Sequence, residues 1–389
     1  MAPEIMDPEA FLEEQVREQR LPGATWVVAR GDQVLSAGAV GWARLVPRRR
    51  RAQEGTLYDL ASLTKPLATA GLAVLLARDG VVSLDEPAGE RLPELANSPY
   101  AQVNLLDLLT HQARLPDWEP LYLHGEDLPT YLRSIAALKP LPEPVVVYSD
   151  LGYILAGALL ARAAGKSLDR LFQQHVAGLL SGCSGPGPLP VRFRPPAAWR
   201  GRIASTEQGD RVERQMVAER CGAGAVASYD HWRREVVHGQ VHDRNAAVLG
   251  GVAGHAGLFG SARGVAALGS QFLPGSKIFS LGELALFVTP RTPPDGELRS
   301  LGFQVPSGSE SVTAGALSPR AFGHTGFTGT SLFIDPEDGG ICVLLSNRVH
   351  PAQRQTDMRA LRRGFHQAAA RVLARDRPEP AAGAPAPLR

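Results

Sequence analysis

The stretch Ser62–Gly80, SLTKPLATAGLAVLLARDG, decides how this chain is read. It predicts a helix from about 62 to 79. Pro66 falls in the first turn, where its missing N–H costs nothing, and Gly80 ends the run. Ser62-Leu63-Thr64-Lys65 is the only S-x-x-K in the sequence and opens that helix. Ser62 and Lys65 therefore share one face at i, i+3. A serine hydroxyl is a weak nucleophile and needs a base beside it. A lysine one turn on can serve if partial burial or nearby positive charge lowers its pKa. The helix N-terminus also favours negative charge at Ser62. Taken alone, however, the tetrapeptide reads as an ordinary capping serine and a surface lysine.

Working outward, two further segments carry candidate chemistry. Tyr148-Ser149-Asp150 follows a Pro-rich segment, Pro140 to Pro144, and directly precedes an apolar helix at 151–164, capped by Ser149 or Asp150 and stopped by Gly165. On its own this triplet reads equally as a helix cap with a buried tyrosine. His324-Thr325-Gly326 lies in a polar, Gly-rich run within a strand expected from Phe322 to Ile334. Glycine weakens a strand interior and usually marks close approach of a ligand or another backbone. The plainer reading is a bulged edge strand.

The remaining elements frame these three. A helix is expected at 8–19. Ala24–Arg30 and Val34–Val40 flank Arg30-Gly31-Asp32-Gln33 as a hairpin. Helices are expected at Leu105–Thr110 and Leu128–Leu138, then a loop-rich stretch at about 181–250. Gly250 to Gly260 precedes a helix capped by Ser261. A strand at Ile341–Ser346, a last helix at about 351–374 and a disordered Pro/Ala-rich tail at 376–389 complete the chain. Strands at both ends and helices between them imply an α+β fold. Its antiparallel sheet is built from the two termini, residues 1–65 and 246–375, with a mostly helical lobe inserted at 66–245.

S-x-x-K near the start, a Tyr-Ser-x triplet about eighty residues on and an x-Thr-Gly strand near the C-terminus recur together in one superfamily. The chain resembles the serine β-lactamase/penicillin-binding-protein superfamily, and within it the class C β-lactamase-like branch with its esterases and D-peptidases. The resemblance covers roughly residues 10 to 370. It extends to non-catalytic stretches such as Asp79–Pro87, Leu108-Leu109-Thr110-His111 and Leu344–Arg348. It implies a β-lactamase/transpeptidase-like fold and a two-step acyl transfer. Ser62 would be the nucleophile, Lys65 and Tyr148 would share the proton work, and the backbone N–H groups of Ser62 and Phe327 would form the oxyanion hole. Asp150, His324, Thr325 and Gly326 would bind substrate.

Two positions depart from the family pattern. Asp150 stands where the second motif usually has asparagine; an ionised aspartate accepts hydrogen bonds but does not donate. His324 stands where the third motif usually has lysine; an unperturbed histidine is mostly neutral at pH 7. Both changes weaken recognition of an amide carbonyl and a carboxylate, the two handles of a penicillin. The expectation is weak β-lactamase activity that rises as His324 protonates, near its ordinary pKa of about 6.5.

What is absent narrows the reading. Forty-one Lys and Arg against thirty-nine Asp and Glu give a net charge of only +2, so nothing points to nucleic acid or an anionic membrane. No window is apolar enough to span a bilayer. Cys183, Cys221 and Cys342 form no C-x-x-C pair, so neither a zinc site nor a disulfide framework is indicated. With no secretory signal at Met1, a cytoplasmic protein is expected, periplasmic if the start is mis-assigned. G-x-S-x-G, H-E-x-x-H, Walker A and G-x-G-x-x-G are all missing. His242-Asp243 and His255 match no metal spacing and read as structural or loop residues, so no metal or cofactor is expected. His111 is expected to cap or pin the helical part. The leading expectation is a serine hydrolase acting on small esters or on D-amino-acid or peptidoglycan-type peptides. The alternatives are a β-lactamase or D-Ala-D-Ala carboxypeptidase, and a non-catalytic ligand-binding protein on the same fold.

Overall fold

The computed structural model describes residues 6–142, 146–181, 189–294, 297–306, 311–313 and 315–376. Cys183 and its neighbours at 182–188, and the Pro/Ala tail beyond Asp376, lie outside the described residues.

A six-stranded antiparallel sheet joins the two chain ends. Its strands run in the order Arg50–Arg51, Gln33–Arg44, Gly23–Arg30, Gly340–Ser346, Ser331–Asp335 and Phe322–Thr325. The expected hairpin forms, with Arg30 opposite Gln33. The N-terminal strand pairs directly with the C-terminal one, from Ala24↔Ser346 to Arg30↔Gly340. Side chains alternate across a strand with period two. Trp26, Val28, Phe333, Cys342 and Leu344 join one buried cluster with Leu12, Leu361 and Phe365 from the helices Pro8–Arg17 and Met358–Arg375. Val27, Ala29, Leu332, Ile334, Ile341 and Val343 point the other way, into the main core. Both faces are covered, so the central strands read as unbroken apolar runs rather than alternating ones.

On the second face lie the helix Ala262–Gly269, capped as expected by Ser261, and a helical layer dominated by Asp150–Ala164. Ser149 caps the latter through Gly152, and Gly165 ends it in the left-handed region at φ 61°. A three-stranded sheet, Tyr58–Asp59, Leu258–Gly260 and Val191–Phe193, ties the segment before Ser62 to the Gly-rich stretch. No helix among the described residues is long and apolar enough to cross a membrane.

Four expectations need correction. The single helix at 62–79 is three pieces: a 3-10 turn at Ala61–Leu63, a π turn at Lys65–Ala70 and an α-helix at Gly71–Arg78. The strand Phe322–Ile334 breaks into Phe322–Thr325 and Ser331–Asp335, because Gly326 to Thr330 form a turn docked on residues 59 and 60. The last helix begins at Met358, not 351; Asp357 caps it by accepting from the N–H groups of Arg359 and Ala360, both at 2.9 Å. The loop-rich stretch contains a helix at Arg211–Cys221, a shorter one at Ala223–Ser228 and a strand pair, Ser205–Gln208 with Val236–His238. The first helix is charge-rich and the second is only six residues long, so neither shows a clear apolar periodicity.

Candidate active site

Asp59 is buried and accepts from the Ala61 N–H at 2.9 Å, an aspartate-to-i+2 turn that sets up the residues before Ser62. Ala61 takes φ 48°, a position that L-residues with a Cβ avoid. The strain is held in place from outside: Thr328 donates to the Asp59 carbonyl at 2.8 Å and Thr330 to the Leu60 carbonyl at 3.0 Å. Gly326 is needed where that turn begins. A Cβ there would stand 2.1 Å from Thr330 Oγ1 and 2.7 Å from the Leu60 carbonyl. The third motif is thereby clamped against the nucleophile loop.

Lys65 has no exposed surface. Its Nζ donates to Ser62 Oγ at 2.9 Å, Tyr148 Oη at 2.7 Å and Asp150 Oδ1 at 2.6 Å. Three residues from two distant motifs meet on one ammonium group, which has three protons to give. Burial alone would lower the Lys65 pKa. The charges and hydrogen bonds of Asp150 and Tyr148 outweigh it and raise the pKa above its usual value. Of the two roles open to Lys65, base or cationic partner of Tyr148, the raised pKa favours the cationic one.

His111 holds the second motif in place. Its Nδ1 accepts the Ser149 N–H at 2.9 Å, its carbonyl accepts the Val147 N–H at 3.0 Å, and its ring lies 4.6 Å from that of Tyr148. Burial, then Arg299 and Lys65, push His111 well below the usual histidine range. It stays neutral, which suits a ring nitrogen acting as acceptor.

His324 is likewise buried, with Nδ1 bonded to the Thr325 carbonyl at 2.7 Å. Burial and the charges of Lys65, Arg299 and Arg362 push it well below 6.5. The expectation that it protonates near neutrality is corrected. A cation is nevertheless present, paired with Glu297 of the same cleft at 2.7 Å. Arg299, 5% exposed, sits 5.0 Å over the Tyr148 ring and lines the same cleft of about 540 Å³ as Ser62, Tyr148, His324, Arg348 and Arg362. Sequence reading missed Arg299, and no local motif marks it. Its isolated bridge to Gln304, and that residue's to Gly323, bring it alongside the third-motif strand.

Phe327, the oxyanion-hole candidate, borders Ser62 from the turn at the other strand end; its exposed ring stacks on His242 with centroids 5.7 Å apart. His242, Asp243 and His255 also come to the site. With Asp59, Asp150 and Glu213 they line a second cavity that opens on Ser62. Donor atoms of Asp150, Asp243 and His255 lie within 4.8 Å of one another, close enough to hold a cation. Each carboxylate already has one: Lys65 lies 2.6 Å from Asp150, and His255 Nε2 lies 2.7 Å from Asp243.

The two-faced sheet, its helices and the convergence on Ser62 define the class, a serine hydrolase with a β-lactamase/transpeptidase-like fold. Comparison with known proteins agrees. The sequence model of the Beta-lactamase family matches residues 9–367. A protein of Escherichia coli (strain K12) named "Putative D-alanyl-D-alanine carboxypeptidase" is 30% identical over 363 residues, covering 85% of this chain and 79% of that one. A β-lactamase/D-alanine carboxypeptidase from Pseudomonas syringae superposes with a TM-score of 0.70 at 16% identity, covering 95% of this chain and 98% of its own. A family VIII carboxylesterase superposes at 0.67 and 22% identity, with the same coverage. The chain belongs to the Beta-lactamase family.

Proposed function

We propose that this protein hydrolyses small esters and short D-amino-acid peptides of the peptidoglycan type through an acyl-enzyme on Ser62. The observation that carries the reading is the buried Lys65 ammonium, bonded at once to Ser62, Tyr148 and Asp150. A buried charge persists only where paired and hydrogen-bonded, so this arrangement holds the three groups together.

Ser62 Oγ forms a bond to the substrate carbonyl carbon while its proton passes to Tyr148, which takes it as the phenolate. Lys65 keeps its own proton; an ammonium at 2.7 Å stabilises negative charge on the phenol oxygen. The N–H groups of Ser62 and Phe327 receive the oxyanion, each such donor contributing roughly 3 kcal/mol in the transition state. Collapse breaks the bond to the leaving group, which takes the proton back from Tyr148. Water then attacks the acyl ester and gives its proton to Tyr148, which passes it to Ser62 Oγ as the ester bond breaks and the acid leaves.

A second reading, a D-Ala-D-Ala carboxypeptidase, is favoured by one observation. Arg299, Arg348 and Arg362 line the cleft beside Tyr148, where a terminal carboxylate would find a counter-charge. The name of the Escherichia coli relative points the same way.

A panel of p-nitrophenyl esters, D-amino-acid p-nitroanilides, D-Ala-D-Ala peptides and nitrocefin separates these readings. Turnover of esters and D-amino-acid substrates above nitrocefin, lost in Ser62→Ala, is expected. Dominant nitrocefin turnover would make the protein a β-lactamase. Substrate binding with no turnover of any member would make it a binding protein.

A further inference from the structure

The net charge of +2 conceals a one-sided distribution. Arg48-Arg49-Arg50-Arg51 is the longest run of one charge in the sequence. It lies at the outer edge of the six-stranded sheet, where Arg51 pairs with Trp42 and Arg50 with Arg44. Residues opposite one another on paired strands share a face. The Arg51 guanidinium accordingly lies 4.1 Å from the centre of the Trp42 ring, and that of Arg49 lies 5.4 Å from it. Arg44 donates to the Arg48 carbonyl at 2.9 Å.

A segment 150 residues away in sequence extends the same patch. Arg50 donates to the carbonyls of Gly201 and Ile203, and the Leu57 N–H to the Arg202 carbonyl at 3.0 Å. These bonds bring the turn Ala197–Arg202 alongside the run. Arg200 and Arg202 are exposed there, as are Arg48, Arg49 and Arg51. Among the described residues none of these arginines forms an ion pair. Glu54, the acid nearest to the run in sequence, is held by Arg263 at 2.7 Å. Burial lowers the His238 pKa, and the charges of Arg44, Arg50 and Arg200 push the same way. Elsewhere Arg91, Arg162 and Arg220 each meet a carboxylate.

Several of the heads are also held rather than loose. Backbone carbonyls fix Arg44, Arg50 and Arg202, and the Trp42 ring seats Arg49 and Arg51. An anion bound to such heads immobilises little further side chain.

We propose that this patch docks the protein on an anionic phospholipid surface. Charge complementarity sets the chemistry, a layer of phosphate headgroups. The aromatic residues favour a bilayer over a nucleic acid. Tryptophan is amphipathic and suits the boundary between membrane and water, while arginine lays its stem on apolar surface and keeps its head among charges. A nucleic-acid strand needs open rings on which bases stack. Trp42 already carries two guanidinium groups, and Trp199 carries Arg192 at 5.8 Å. The third-motif strand Phe322–Thr325 forms the other edge of the sheet, five strand spacings or about 24 Å away. Docking and substrate binding therefore use opposite edges.

The test is co-sedimentation of the full chain with vesicles of phosphatidylcholine, with and without phosphatidylglycerol, in about 0.1 M NaCl. Binding is expected to require phosphatidylglycerol and to be lost at about 0.5 M NaCl, where the charges are screened. The triple variant Arg48→Gln, Arg49→Gln, Arg51→Gln should weaken partitioning on the order of 100-fold, about fivefold per arginine, with Tm and p-nitrophenyl ester turnover unchanged. The double variant Arg200→Gln, Arg202→Gln, drawn from the other segment, should weaken it roughly 10- to 30-fold. Lysine at the same three positions of the run should preserve binding, because headgroup attraction needs charge and not the guanidinium fork. Sedimentation independent of phosphatidylglycerol, or unchanged in both glutamine variants, overturns the proposal. Tighter binding to a duplex DNA oligonucleotide than to vesicles at equal phosphate concentration reassigns the patch to nucleic acid. Release from vesicles by millimolar inorganic phosphate at constant ionic strength reduces it to a site for a single phosphate and overturns the docking surface.

Discussion

A lysine without solvent exposure holds its charge only if its partners outweigh the cost of burial, and around Lys65 they do. This divides the labour between the two candidate proton carriers. In the proposed mechanism Lys65 is the fixed cation and Tyr148 the group through which the Ser62 proton moves. Tyr148→Phe should lower kcat roughly 10²- to 10⁴-fold, the usual range for a general acid–base group, measured on an uncharged p-nitrophenyl ester. Because the Lys65 pKa is raised, its ammonium persists through neutral and mildly alkaline pH. An alkaline limb near pH 8 that disappears in Lys65→Met would contradict the assignment. The carboxylate end behaves differently from the sequence expectation. His324 is pushed well below 6.5, so acid down to pH 6 should not raise nitrocefin turnover relative to the ester. Arg299→Gln should instead lower that ratio about 10- to 100-fold. A ratio that rises on acidification, unaffected by Arg299→Gln, would return the role to His324. Ser62, Lys65, Tyr148, Asp150, His324, Thr325 and Gly326 were legible because each sits in a short motif. Arg299, Glu213, Asp243 and His255 were not, because only tertiary packing brings them to the cleft.

Among the elements, the turn between Thr325 and Ser331 does the most to shape the site. It interrupts what reads in sequence as one strand, and its hydroxyls at Thr328 and Thr330 hold the carbonyls of Asp59 and Leu60. A side chain at Gly326 would press on those same contacts. Gly326→Ala should therefore cut kcat/KM about 10²-fold, as misplacements near 1 Å do, with a loss of stability of about 1–3 kcal/mol. Parallel ester kinetics and thermal melts would measure both; unchanged kinetics would show that the turn does not position Ser62. The helix after Ser62 shows the complementary point. Pro66 and Gly80 marked its ends well. Its π turn at Lys65–Ala70 left no trace in the spacing, because it depends on outside contacts such as Thr69 Oγ1 to the Gly254 carbonyl at 2.6 Å.

At the scale of the whole molecule, the pairing of Gly23–Arg30 with Gly340–Ser346 brings the chain ends together and carries the third motif to the first. That closure was readable, because strands cluster at both ends of the sequence with helices between. The strands and helices within 189–250 were not, since short, polar elements give little periodicity. We propose a two-lobed division for the folded chain, residues 1–65 with 246–375 and residues 66–245, with Ser62 where the lobes meet. The gathering of three distant motifs around Ser62 is the claim on which the rest stands. Its most direct test is reaction of the intact protein with a fluorophosphonate probe, followed by peptide mass mapping. A single adduct on the peptide containing Ser62, abolished in Ser62→Ala and slowed in Tyr148→Phe, is the result predicted here. An adduct on another serine, with Ser62→Ala still turning over esters, would contradict it.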